Sequence, residues 1–383
     1  MGPGPSSANP AVLRAMSLPV LGYLDPAYFK VLDELILMLK EVFKTEQRAF
    51  AVAGAGSAGM EAGLQSFLEC GDKVIICSYG YFCERQVNMC KRIGAEVVEL
   101  KSEWGKAFDP QQLADALEQH QDTKLVVSIH AETSAGTLHP VKEMSAISHR
   151  AGALFMTDVV TSLGGCEVDF DGWDLDFAYA GSQKCLAAPP GISPVALSER
   201  GLEYIKNRKT LPTSWYLDLS LIADYWGPER KHHHTNPVNM VYGLREALAL
   251  TLNEGLETRW LRHERVAAAL RAGLAALGLQ SPVDPAVRLN QLTVVTLPAG
   301  VNDIALRNQL FEQYGIEIGR GLGQFAGKVI RIGLMGESCV PANVFNLLNA
   351  LERILPSHGF EVAKGAGAAA ASAQLADEPA PLY

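Results

Sequence analysis

"DFAYAGSQKCLAAPPGISPVALSER", residues 176–200, is the stretch from which the fold can be read. A short apolar run with the look of a buried strand ends in small residues; a single lysine, Lys184, follows, and then alanines, two prolines and a glycine. Lysine is among the residues least often buried, so a surface loop is the ordinary reading of it. A lysine in so tight and apolar a stretch asks for a chemical reason, and the rest of the chain supplies one.

Outward from Lys184, strand and helix patterns alternate. Toward the N-terminus, "YFKVLDELILMLKEVFK" (28–44) has helical spacing, "RAFAVAGAG" reads as a strand ending in glycines, and "SAGMEAGLQSFL" as a helix. The same beat runs through "KVIICS", "YFCERQVNMCKRIG", "EVVEL", "PQQLADALEQH", "KLVVSIH", "VKEMSAISHRAG" and "ALFMTDVV". Strands alternating with helices of this length imply right-handed crossovers and a mostly parallel, buried sheet, hence an α/β fold. From about residue 201 the pattern turns helical, and after it a mixture of helices and short strands reads as a smaller α+β domain. The expected organisation is an N-terminal arm (1–22), a large domain (23–255), a small C-terminal domain (256–358) and a disordered alanine-rich tail (359–383).

Composition narrows the function. The chain has 383 residues with a formal net charge of −9, which argues against a nucleic-acid surface. Seven cysteines form no CxxC pair and their odd number closes no disulfide framework, so a reduced, intracellular compartment is expected. No apolar run is long enough to span a membrane. No secretory signal is visible either, although an organellar targeting peptide removed upstream would leave the same start.

Three signals carry chemistry. Gly54, Gly56 and Gly59 in "AVAGAGSAGMEAG" have the GxGxxG spacing between a strand and a helix. The dinucleotide reading also needs an acid at the end of the next strand, where "KVIICS" offers only Cys77 and Ser78. What survives is a helix N-terminus ready for a phosphate. The second signal is Asp158, closing the strand "ALFMTDVV", and the third is Lys184, 26 residues on, at the end of the next strand. A phosphate site, a carboxylate and a desolvated lysine on one sheet edge describe a pocket for pyridoxal phosphate: the amine joins the cofactor aldehyde and the carboxylate pairs with the pyridine nitrogen. "KHHHTNP" (231–237) invites a metal reading, but consecutive residues point different ways and no further ligand lies nearby, so no metal is expected.

At this point the chain resembles a known family. "DVVTSLGG" followed by "YAGSQKCLAAPPGISPVALS" is similar to the class V aminotransferases of fold type I, in particular the alanine–glyoxylate and serine–glyoxylate group. "GPGPSSANP", "IHAETSAGT", "HHHTNP" and "GKVIRIGLMG" resemble that group in the same order, over about residues 2–355. The resemblance implies that Lys184 carries the cofactor and Asp158 holds its pyridine nitrogen. It assigns Ala55, Gly56, Ser57 and Gln183 to the phosphate, Phe82 and Val160 to the two ring faces, Thr133 to the ring hydroxyl and Arg331 to the substrate carboxylate. It implies a homodimer in which His232 and Thr235 reach the partner's phosphate, with His232 standing where the family has tyrosine. Tyr23 stands where the family has histidine, near the substrate entrance.

The implied activity is transfer of an amino group from L-alanine, or L-serine, to glyoxylate, giving glycine and pyruvate or hydroxypyruvate. The alternatives are a ureidoglycine–glyoxylate aminotransferase, a cysteine desulfurase with Cys339 as its only candidate thiol, and a non-enzymatic binding subunit of the same fold.

Overall fold

The computed structural model describes residues 1–376. In chain order its strands are β1 (Arg48–Ala53), β2 (Lys73–Ser78), β3 (Glu96–Lys101), β4 (Thr123–Ile129), β5 (Ala131–Glu132), β6 (Thr137–Leu138), β7 (Leu154–Asp158), β8 (Phe177–Tyr179), β9 (Ile192–Leu197), β10 (Leu292–Thr296), β11 (Gly319–Arg320) and β12 (Val329–Gly333). Seven of them pair in the order β1-β9-β8-β7-β4-β2-β3. β9 is antiparallel to both neighbours and every other adjacent pair is parallel. The carboxyl ends of β1, β2, β4, β7 and β8 therefore share one edge, where open α/β sheets bind ligands. β4, β7 and β8 are buried almost throughout, as a sheet covered on both faces requires.

The helices between the strands begin where the sequence places caps. Asp25 and Asp109, each followed by proline, accept from Ala27 and Gln111 N–H at 2.8 and 3.0 Å and start the helices Pro26–Phe43 and Pro110–Gln119. Strand β9 was not foreseen, because Pro194 at its centre cannot donate to a ladder. The carbonyl of Pro194 accepts from Ala180 N–H at 2.8 Å, and the Ala180 carbonyl, which the proline cannot serve, accepts from the Ser193 hydroxyl at 2.6 Å instead.

Two apolar cores form. One gathers side chains from Tyr28 to Leu248 around the main sheet, and the other gathers Val266 to Ala371 around the antiparallel sheet β10-β12-β11. The start of the helix Leu256–Ala276 ties them together. Buried Arg259 donates to the carbonyls of Gly164 at 3.1 Å and Cys185 at 2.6 Å, and pairs with Glu254. One turn on, Arg262 donates to the carbonyls of Gly336 and Cys339, and His263 Nε2 accepts from Gly336 N–H at 3.1 Å. The loops after β7, β8 and β12 are thus held by one helical turn.

Both ends of the chain are informative. Residues 1–8 cross the sheet edge: Met1 carbonyl accepts from Gly333 N–H at 2.8 Å, and Ser6 hydroxyl donates to Lys184 carbonyl at 2.6 Å. The alanine-rich C-terminus, read from sequence as disordered over 359–383, is instead a helix over Ala366–Ala376; residues 377–383 lie outside the described residues. Its low complexity is a packing device. Gly367 lies against Leu277 and leaves 3.1 Å for a Cβ, Ala371 is fully buried, and Glu352 accepts from the N–H groups of Gly365 and Gly367. Small residues let this helix approach Leu256–Ala276 closely, where larger ones would hold it off.

Candidate active site

The shared sheet edge encloses a cavity of about 170 Å³. After β1 come Ala55, Gly56 and Ser57; after β2, Phe82 and Arg85; from β4 onward, Ile129, Ala131 and Thr133; from β7, Asp158, Val160 and Thr161; and after β8, Gln183 and Lys184. The sequence had named nine of these as site residues, and five separate loops bring them together.

Gly56 opens the helix Gly56–Phe67, whose N-cap, Ala55, has no side chain to satisfy the first N–H groups. Those groups face the cavity with the positive end of the helix dipole behind them. Glycine is required at 56 by space, because a Cβ there would come within 2.9 Å of Val160 and 3.4 Å of the Ala180 carbonyl. The side-chain oxygen of Gln183 is buried without a hydrogen-bond partner among the described residues, as expected of a group waiting for a polar ligand.

Asp158 is 6% exposed and accepts from Val160 N–H at 2.7 Å. Burial pushes its carboxyl up to about 6, opposed by that bond, by the Tyr179 hydroxyl and by the charge of Lys184. Burial, and then the positive charge of Arg331, bring Lys184 down to about 8. A neutral, nucleophilic amine is therefore accessible near neutral pH. Its ammonium form donates to the Pro3 carbonyl of the N-terminal segment. Arg331 is buried on β12; its Nε donates to the Arg320 carbonyl at 2.7 Å and Nη1 to the Thr133 carbonyl at 3.3 Å. Cys185, next to the lysine, is fully buried with its thiol against the Thr161 carbonyl at 3.2 Å, and burial pushes it up to about 12, so it is inert filler.

Four residues expected at the site do not line this cavity: Arg331, which reaches it only through the Thr133 carbonyl, and Tyr23, His232 and Thr235. The rings of Tyr23 and His232 stack with centroids 4.4 Å apart. The two positions at which the chain departs from the expected pattern are thus in contact with each other. Other residues went unnoticed in the sequence. Arg85 lines the cavity with its guanidinium 4.8 Å from the Phe82 ring centroid, and its signal was the helical spacing of three from Phe82. Glu132, beside Thr133, and Tyr179, two residues before the apolar strand runs into Gly181, carried no pattern that marks a site residue.

Pyridoxal phosphate suits this cavity on its own observations: uncapped N–H groups at one end, a desolvated amine, and a buried carboxyl. The comparisons with known proteins agree. Residues 45–336 match the family model described as aminotransferase class-V. A solved ureidoglycine–glyoxylate aminotransferase from Bacillus subtilis superposes with a TM-score of 0.95 at 41% identity, covering 98% of this chain and 97% of that one. An alanine–glyoxylate aminotransferase from Nostoc sp. superposes with a TM-score of 0.91 at 42% identity, over 93% and 94% of the two chains. In sequence, the alanine–glyoxylate aminotransferase of Callithrix jacchus is 38% identical over 93% of this chain and 87% of its own length. The chain belongs to the class V aminotransferases, enzymes of fold type I that use pyridoxal phosphate.

Proposed function

We propose that this protein moves an amino group from a small amino acid to glyoxylate, with L-alanine as the first donor and L-serine the second, releasing glycine and pyruvate or hydroxypyruvate. The observation that carries the reading is a desolvated Lys184 amine lining one small cavity within the field of a buried Arg331, which is bonded to the carbonyl of cavity-lining Thr133. Glyoxylate as acceptor is supported by the ureidoglycine–glyoxylate and alanine–glyoxylate relatives, whose names share it though their donors differ.

When bound, the cofactor supplies an aldehyde that takes up amines and a ring that accepts the electron pair left at Cα. The chain's own residues do the rest. The N–H groups of Gly56 and Ser57, with Gln183, hold the phosphate; Phe82 and Val160 confine the ring; and Thr133 hydrogen-bonds its hydroxyl. Asp158 keeps a proton on the pyridine nitrogen. Lys184 Nζ takes the substrate Cα proton and returns it, acting as general base and then general acid. Arg331 binds each substrate carboxylate in turn through two parallel charge-assisted bonds.

The same reading makes the enzyme a homodimer, with His232 and Thr235 of one copy reaching the phosphate end of the other's cavity. The exposed apolar side chains Val20, Leu211 and Trp215 near that segment, 66%, 88% and 60% exposed, support a covered interface. A desulfurase is disfavoured because Cys339 is fully buried and its thiol is pushed up to about 12 by burial.

A second donor, ureidoglycine, is favoured by the 40% identity, over 96% of this chain, to the (S)-ureidoglycine–glyoxylate transaminase of Bacillus subtilis. One experiment separates them: the cofactor-loaded protein is mixed with each common amino acid and with ureidoglycine, and loss of its visible absorbance is followed. Rapid loss with alanine or serine supports the first reading, and loss with ureidoglycine alone replaces it with the second.

A further inference from the structure

Glu132 is a fully buried carboxylate that the mechanism above does not use. Its Oε1 accepts from the backbone N–H of Ser134 at 2.8 Å and from the Ser134 hydroxyl at 2.7 Å. Its Oε2 accepts from Phe82 N–H at 3.3 Å and lies 3.9 Å from the sulfur of Cys83. The Ser134 oxygen in turn accepts from Tyr81 N–H at 2.8 Å.

These bonds solve a local problem. The helix Tyr81–Ile93 follows Gly80, which has no side chain with which to cap it. Its first N–H groups are answered instead by Glu132 and Ser134, from a segment some 50 residues away. A negative charge is favoured there by the unsatisfied N–H groups and the helix dipole. Gly80 itself has φ −170° and ψ 175°, an extended backbone open to any residue. A Cβ at that position would overlap the Glu132 side chain, so the carboxylate, not the backbone, excludes a larger residue. On its other side Glu132 adjoins Thr133, whose carbonyl receives Arg331.

We propose that Glu132 is a positioning residue for the cofactor, holding Phe82, whose side chain lines the cavity, by its backbone N–H to one carboxylate oxygen. The proposal rests on the reading that pyridoxal phosphate occupies that cavity. Without the carboxylate, the first turn of the helix loses its cap, and the ring of Phe82 loses its fixed height over the site. The charged and titratable groups around Glu132 are Asp158 at the end of β7, Tyr79 after β2, Cys83 on the helix and Arg331 on β12. Burial raises the carboxyl to about 7; the bonds from Ser134 pull it down, Asp158 pushes it up and the bond from Phe82 pulls it down again. The ionised form can accept at both oxygens, whereas the protonated form turns one acceptor into a donor. Positioning therefore improves as pH rises through that range.

The test is pyridoxal phosphate affinity, measured by titrating apo-protein across pH 6 to 8.5, with apo-protein melting temperature alongside. The variants are Glu132→Gln, Gly80→Ala, Phe82→Ala and the Glu132→Gln/Phe82→Ala double. Losing one hydrogen bond to a charged group predicts about tenfold weaker binding for Glu132→Gln. Gly80→Ala, which leaves Glu132 in the chain but displaces it, should weaken binding similarly. The double variant should bind no more weakly than Phe82→Ala alone, because Glu132 acts through that ring. The parent's affinity should gain on that of Glu132→Gln as pH rises. A Glu132→Gln variant that binds like the parent, single-variant factors that multiply, or a loss confined to melting temperature overturns the positioning role. A parent that binds no pyridoxal phosphate overturns the cofactor reading itself.

Discussion

Replacing Arg331 by lysine keeps the positive charge and removes the fork. A guanidinium has five N–H donors. In Arg331, Nε is spent on the Arg320 carbonyl at 2.7 Å and one hydrogen of Nη1 on the Thr133 carbonyl at 3.3 Å, which leaves three for a substrate carboxylate. Lysine at this buried position can direct at most one bond to the carboxylate and leaves both carbonyls without their donor. Losing one charge-assisted bond, with part of the cost of the unpaired carbonyls, removes about 2–3 kcal/mol of transition-state binding. That corresponds to about a thirtyfold to 150-fold fall in kcat/KM. Both halves of the reaction place a carboxylate in the same spot, so the fall should be of similar size for amino donor and for glyoxylate. Single-turnover kinetics on cofactor-loaded protein, run separately for each half, give the two values. A fall below about threefold, or one confined to a single half, would show that Arg331 is not the shared carboxylate site.

Lys184→Ala should bind pyridoxal phosphate but show no turnover, and borohydride reduction followed by mass spectrometry should attach the cofactor to the parent and not to the variant. In the parent, Lys184 is lowered from an ordinary 10.5 to about 8 by burial and then by Arg331. The folded state thus binds fewer protons than the unfolded chain between those values, and this group's contribution to stability rises with pH across that window. Covalent attachment of the cofactor should follow the same lowered value, half-maximal near pH 8, and Arg331→Gln should move the midpoint upward by removing a like charge; an unmoved midpoint would separate the two residues. Arg259→Met strips the donor from the Gly164 and Cys185 carbonyls and one partner from Glu254. It should lower stability to urea by about 3 kcal/mol or more, and a loss under about 1 kcal/mol would mean that these loops hold without it.

Most of the sheet was legible because its parallel strands are short apolar runs, three of which lead into a chemically loud residue. Asp158 closes one, Lys184 follows another, and the glycines at 54, 56 and 59 follow a third, so periodicity and site chemistry pointed to the same edge. β9 was not legible, since its proline argues against a strand when the neighbour that receives its carbonyl is unknown. The C-terminal helix failed for the opposite reason. Its alanines and glycines carry no amphipathic signal, and only the close approach to Gly273 and Leu277 gives that composition a purpose.

Apart from Arg85, which lines the cavity directly, the residues that sequence missed share a physical trait: they act on other residues. Glu132 is read from its bonds to Phe82 and Ser134, and neither bond leaves a spacing in the chain. Arg259 is read from two carbonyls 95 and 74 residues away. Tyr23 and His232 show the same limit from the other direction. Taken singly, each looked like the loss of a family contact, a tyrosine where histidine belongs and a histidine where tyrosine belongs. The two rings stack with centroids 4.4 Å apart, so the two departures meet in one contact. A departure at one position can therefore be judged only with its contact partner in view, and that partner is known from the fold, not from the spacing.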